Sequence, residues 1–223
     1  MPFFRLSFNK PARRKTKRPN CGTIILENKM TEIEIKARVT DRAATEAALD
    51  GMAEFKGSVT RDDAYWKKDG VQIRIRKETC GDGTESTLLT YKRKELRAED
   101  GGSVMEVNDE QECAISRAEP LEAFLKDAGF SVALRKHKDV KAWRHSSGAT
   151  LELCAVPPLG DFLEIEILSA AGDDSTVNGA RKILLGLLKD AGIPESRIEG
   201  RYYSELLKET LSAREQERQD EPL

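Results

Sequence analysis

Between residues 31 and 167 this chain repeatedly alternates apolar and charged residues, one for one. Thr31, Ile33, Ile35, Ala37 and Val39 fall on one side of the first segment, and Glu32, Glu34, Lys36 and Arg38 on the other. A period of two is the signature of a strand with one packed face. Segments 63–67, 71–77, 87–94, 105–115, 132–143, 150–154 and 162–167 also read as strands. The turn sequences KDG, CGDG, EDGG, SSG and PPLG separate them. Four helical stretches interrupt rather than alternate with the strands. Residues 42–55 follow Asp41 as N-cap. Residues 119–130 carry Pro120 early and Gly129 at the C-cap. Residues 176–192 carry Ile183, Leu184, Leu187 and Leu188 on one side and end at Gly192. Residues 204–218 form the last helix. Seven or eight strands broken by helices predict an antiparallel α+β architecture, not a doubly wound one.

The charges on the polar strand faces are sorted by sign. Glu32 and Glu34 share one strand with Lys36. Arg74 and Arg76 share another, as do Thr90, Lys92 and Lys94. Glu110 pairs with Glu112, Lys136 with Lys138, and Glu164 with Glu166, while Glu152 lies just upstream. Any one strand of this kind reads as a solvated face. Together, acids at both ends of the domain and bases in the middle suggest one lumen lined from opposite walls, with helices outside. Clustered carboxylates repel one another unless a cation lies between them. Oxygen-only ligands suit magnesium (Mg2+) or manganese (Mn2+) rather than zinc. Clustered Lys and Arg suit a polyanion, and Arg suits bidentate phosphate contacts. A face with both sets is expected to take a metal-complexed polyphosphate.

Composition limits the alternatives. The formal charge of the 223 residues is −2, but residues 1–29 hold eight basic residues and one acid. The remainder has 29 basic and 38 acidic residues, a net of −9. An acidic body argues against nucleic acid as a partner. Residues 1–29 read as a disordered basic leader, first as an extension upstream of a start at Met30, with an organelle transit peptide, a nucleic-acid arm or a nuclear signal as alternatives. Residues 30–210 read as the domain and 211–223 as a charged tail. Cys21, Cys80, Cys113 and Cys154 form no CxxC, and only two histidines are present, which argues against a zinc site. Scattered thiols suit a cytoplasmic protein. No run approaches the roughly 18 apolar residues of a membrane span.

The motifs resemble the CYTH superfamily, the triphosphate tunnel metalloenzymes. Glu32-Ile-Glu34-Ile-Lys36 resembles its ExExK signature. Asp63-Ala-Tyr65, Arg74-Ile-Arg76, Leu89-Thr-Tyr-Lys92 and Glu110-Gln-Glu112 follow in the family's order. Then come Leu159-Gly-Asp-Phe162-Leu-Glu164-Ile-Glu166 and Arg201-Tyr-Tyr203 with Leu206-Leu207. The resemblance implies a closed antiparallel eight-stranded β-barrel, a triphosphate tunnel with helices packed outside. It implies metal ligands among Glu32, Glu34, Glu164 and Glu166, with Glu110, Glu112 and Glu152 as second-metal or water-positioning groups. It implies triphosphate contacts from Lys36, Arg74, Arg76, Lys92, Lys138 and Arg201, and catalytic roles for Lys36 and Tyr65. Two positions depart from the family: Val140, with Lys141 beside it, stands where an Arg is usual, and Tyr202 where Ser is usual.

Family members either cyclise ATP to cyclic AMP and pyrophosphate, as class IV adenylate cyclases, or hydrolyse tripolyphosphate, thiamine triphosphate or RNA 5′-triphosphates. The compact domain and its VPPLGDFLEIEI strand resemble the cyclase-like branch most, with triphosphatase as the alternative. A non-catalytic polyphosphate- or nucleotide-binding module is a third reading. The apolar side of the 175–192 helix is expected to pack on the barrel or on a second subunit in a homodimer.

Overall fold

In a computed structural model of the protein, the described backbone covers residues 31–98, 104–169 and 173–220. Side chains are described within these except at 31, 92–98, 104–110, 174 and 214–220. The expected basic leader lies outside the described residues.

All the expected strands form. They are β1 (Thr31–Val39), β2 (Glu54–Lys68), β3 (Val71–Cys80), β4 (Glu85–Ala98), β5 (Val104–Ala114), β6 (Ser131–Arg144), β7 (Thr150–Val156) and β8 (Gly160–Ser169). The helices are α1 (Arg42–Met52), α2 (Glu119–Asp127), α3 (Asp174–Asp190) and α4 (Tyr203–Asp220), with a 3₁₀ turn at Glu195–Arg197. Asp41 caps α1 as expected, accepting from the Ala44 amide at 3.0 Å. That helix stops at Met52, short of the expected Phe55, because Ala53 is already extended and the chain enters β2. Near the start of β2 a register shift falls between Phe55 and Gly57. Gly57 takes φ of +126° there, a conformation closed to most side chains.

The sheet is antiparallel throughout, in the order β1-β8-β7-β6-β2-β3-β4-β5. It is not closed, which corrects the expected barrel: among the described residues β1 and β5, the two ends of the order, do not pair. The free edge of β1 is taken up elsewhere. The Glu199 amide donates to the Lys36 carbonyl at 2.7 Å, and Ile198 bridges Ala37. Arg38 then bonds the Glu199 carboxylate at 3.0 Å. Alternation reports which face a residue takes. Closure depends on strand tilt and stagger, which alternation does not carry.

The apolar faces are covered by helices. Ala37, Leu151, Leu153, Leu163 and Ile165 from β1, β7 and β8 pack with Leu184, Leu187 and Leu188 of α3 and Leu49 of α1. The α3 stripe runs Ala180, Leu184, Leu187, Leu188, Ala191. Ile183, expected on that side, is 41% exposed because it lies about 100° round the helix from Leu184. Trp143 of β6 is buried in the same core and donates its indole N–H to Asp50 of α1 at 2.8 Å. A second core under α2 joins Leu125 and Ala118 to Ala64, Trp66 and Ile75.

Truncating Leu184 to Ala removes a fully buried side chain and should cost about 2–5 kcal/mol in urea unfolding. Ile183→Ala, at an exposed position of the same helix, should cost less than about 1 kcal/mol. Equal losses would contradict this burial pattern.

Candidate functional site

Antiparallel pairing carries the two-residue phase from strand to strand. Glu34 faces Glu166, and Lys36 faces Glu164, across β1 and β8. Glu164 in turn faces Glu152 of β7. Lys138 of β6 faces Arg61 of β2, and Lys136 faces Asp63, which also faces Arg76 of β3. Tyr65 faces Arg74, Arg74 faces Thr90, and Thr90 faces Glu112. Lys92 and Glu110 are partners one step further along, but their side chains lie outside the described residues. The strand-borne candidates therefore occupy one face of the sheet, opposite α1, α2 and α3, while α4 packs against one end of the same face. That face is strongly curved: Lys36 and Lys136, three strands apart, lie 4.4 and 5.3 Å from the centre of one ring, Tyr203.

Much of this charge is already paired. Arg61 donates to both oxygens of Glu152, at 2.7 and 2.9 Å, and to Glu78 at 2.9 Å. Lys138 reaches Glu164 at 2.6 Å and Glu152 at 3.4 Å. The Tyr203 hydroxyl donates to the other Glu164 oxygen at 2.6 Å. Next to this file, the fully buried Asp63 carboxylate accepts from Arg76 at 2.7 and 3.1 Å and from Lys136 at 2.9 Å. Tyr65 donates to Asp63 at 3.3 Å. Arg74 bonds Thr90 at 3.0 Å, and Thr90 donates to Glu112 at 2.8 Å.

These partners act on the acids in different directions. Burial works to raise the pKa of Glu152, but Arg61 and Lys138 outweigh it and hold the group at about 2. Burial also opposes ionisation of Asp63, yet its bonds to Arg76 and the charge of Lys136 keep it well below the usual range. Glu164 is lowered too: burial is overcome by Lys138 and Tyr203.

Glu32, Glu34 and Glu166 behave otherwise. Among the described residues none of the three makes a salt bridge within 4.0 Å. Glu34 reaches solvent, yet the surrounding wall displaces much of the water about its carboxylate. Burial, then the charges of Glu164 and Glu32, push it up to about 7. Burial and the neighbouring Glu32 push Glu166 to about 8. Three uncompensated carboxylates on one patch fit a hard divalent cation. A second group fits less well. Glu152, Cys154 and Glu164 bring one ligand atom each within 4.8 Å, but Lys138 and Arg61 already supply cations there.

Not every expected residue joins the face. The Arg201 guanidinium is exposed and bonds Glu199 and Glu209; its carbonyl, not its side chain, meets Lys36, accepting from Nζ at 2.5 Å. Val140 packs with Cys154, Val156, Phe162 and Leu206 in a buried apolar cluster, and Lys141 bonds Glu46 on the other side of the sheet. Sequence reasoning passed over Arg61 and Glu78, and did not count Asp63, Lys136 or Tyr203 among the site residues. Arg61 precedes Asp63 by two, and Glu78 follows Arg76 by two. Extending the alternation one step at each strand end would have found both.

A carboxyl whose folded pKa lies below its unfolded value stabilises the fold above the unfolded value. It loses that contribution as pH falls through the folded one. For Glu152 the window runs from 4.5 down to about 2. The stability difference between wild type and Glu152→Gln should be largest at neutral pH and shrink by up to about 3 kcal/mol across that window. Urea unfolding at stepped pH measures it, and a pH-independent difference would refute the ion-paired assignment.

A family model, the CYTH domain, matches residues 30–203. No curated protein matches the chain. Among solved structures, the PH1012 protein of Pyrococcus horikoshii OT3 is 27% identical with a TM-score of 0.62, covering 79% of this chain and 99% of its own. A Vibrio parahaemolyticus protein proposed to be an adenylate cyclase is 18% identical, TM-score 0.61, covering 79% and 97%. The Hippeastrum protein HpAC1, proposed as an adenylyl cyclase and described as having a dominant triphosphatase activity, is 19% identical, TM-score 0.54, covering 81% and 96%. The last two share the fold. With a family model matching most of its length over the strands that build this charged face, the chain belongs to the CYTH domain family.

Proposed function

We propose that the chain is a divalent-metal-dependent enzyme acting on a triphosphate held against the charged face of the sheet. The observation that carries this reading is the pairing pattern. Three carboxylates that make no salt bridge within 4.0 Å among the described residues, Glu32, Glu34 and Glu166, lie beside a face rich in Lys and Arg. A simple anion binder gains nothing from such acids, because they repel its ligand.

In this reading Glu32, Glu34 and Glu166 hold Mg2+ or Mn2+, with Glu164 beside them. When bound, the cation supplies neutralisation and Lewis-acid polarisation of the phosphoryl oxygens. The chain's own groups do the rest. Arg74 and Lys36 contact the phosphate oxygens, and Arg76 and Lys138, each held by a carboxylate, set the positive field behind them. Lys92 and Glu112 extend this wall through their positions on β4 and β5. Burial lowers the pKa of Lys36 against the pull of Glu164 and Glu34, which brings its ammonium closer to proton transfer.

Hydrolysis suits the described face best. Where the inner face turns apolar, at Val140, Cys154, Val156 and Phe162, Leu206 and Tyr203 already fill it. What is left for a substrate is charged and polar, which fits recognition of the triphosphate itself, as in tripolyphosphate or thiamine triphosphate. Cyclisation of ATP is the second reading. Tyr65, half-buried between Arg74 and Leu134 on that face, offers a ring on which a purine could stack.

Incubation with Mg2+ or Mn2+ and ATP, tripolyphosphate or thiamine triphosphate separates them. Orthophosphate release marks hydrolysis, and cyclic AMP with pyrophosphate marks cyclisation. Retained binding without turnover would leave only a binding module. Glu34→Gln should lower kcat by about 100-fold or more, and Arg74→Ala should act chiefly on KM. Full activity in Glu34→Gln would refute the metal site.

A further inference from the structure

We infer that Arg61 occupies the place of a second cation, and so limits the face to one divalent metal ion. The inference rests on the metal site proposed above and adds to it a residue that sets stoichiometry. Arg61 lies between two acids from different strands. Its Nη1 and Nη2 take one oxygen each of Glu152, and its Nε takes an oxygen of Glu78. The three side chains are only 18%, 16% and 10% exposed. A bridging metal would make the same kind of contact, joining carboxylates from neighbouring walls through their oxygens.

The guanidinium differs from a metal in two respects. It is covalently held, and it stays charged at any pH at which the protein folds. A diffusing cation therefore has to displace a permanent bidentate partner to reach Glu152. Lys138 adds a second fixed cation on the same side, 3.4 Å from Glu152 and 2.6 Å from Glu164. The Glu152, Cys154 and Glu164 ligand atoms, all within 4.8 Å of one another, thus form a cation-binding geometry that the chain fills with its own side chains. Glu32, Glu34 and Glu166 lie outside that pairing and remain open to one ion. Removing the Arg61 charge while keeping a polar side chain leaves Glu78 and Glu152 short of a cation. A second divalent ion can then enter, with Glu152 as ligand.

Counting bound Mn2+ on the full chain, by calorimetry and by electron paramagnetic resonance of the free ion, tests this. Wild type should bind one ion and Arg61→Gln two. The double variant Arg61→Gln/Glu152→Gln should return to one. Mn2+ should also raise the Tm of Arg61→Gln more than that of wild type. A folded Arg61→Gln that still binds one ion, or a second ion that survives in the double variant, overturns the inference. So does a wild type that binds two. Glu152→Gln alone provides a test that does not depend on Arg61→Gln folding. Its single Mn2+ should bind within about threefold of the wild-type Kd, whereas weakening of about tenfold or more would make Glu152 a ligand and overturn the inference. A wild type that binds no Mn2+ removes the proposed metal site as well, so the two failures are distinguishable.

Discussion

Charge on the concave face of the sheet has to be neutralised, and the rest of the structure is arranged around how that is done. A flat, solvated sheet could leave such side chains in water. Here curvature brings β1, β6 and Tyr203 within reach of one another, and α4 packs against the apolar end. In those surroundings an unpaired ion costs far more than at a surface. Asp63 meets this constraint with Arg76 and Lys136, and Glu152 meets it with Arg61 and Lys138. These pairs do not make the protein markedly more stable than an apolar filling would. They hold side chains in position and leave a defined remainder of charge.

That remainder is what points to function. Pairing uses up Glu152, Glu164, Asp63 and Glu78, while Glu32, Glu34 and Glu166 make no salt bridge among the described residues, and Glu34 and Glu166 are left with raised pKa values. The cationic groups are tied down unevenly. Arg76 is clamped on a fully buried carboxylate, whereas Arg74 contacts a hydroxyl at 3.0 Å and an acid only at 3.5 Å. Arg74 is therefore the arginine of the pair with more freedom to exchange its partners for phosphate oxygens. The proposed binding face and a structural ion network thus share the same strands, separated by which groups have partners.

Much of this was legible in the sequence because antiparallel strands preserve parity. Once Glu34, Arg76 and Glu164 are known to sit on alternating strands, every residue an even number of positions away shares their face. The helices were legible as stripes, and the Asp41 cap and the Gly129 turn as local chemistry. Partner choice was not legible. Nothing in the spacing says that Glu152 binds Arg61 rather than a metal, since the two meet from strands about ninety residues apart. Arg201 illustrates the same limit. Its motif position suggested a ligand, but Glu199 and Glu209 hold its side chain outside, and only its carbonyl reaches Lys36.

The sequence by itself determined an antiparallel α+β chain of seven or eight strands, the face that the strand residues take and the family, and it pointed to the kind of ligand such a face attracts. Those follow from a backbone period of two and from the chemistry of carboxylates and guanidinium groups. Only the tertiary structure decided that the sheet stays open. Edge pairing depends on tilt and stagger, and the segment at Ile198 and Glu199 takes up the edge of β1. It also decided which acids have a cationic partner and which, among the described residues, have none within 4.0 Å, because compensation depends on distances between strands that are remote in sequence.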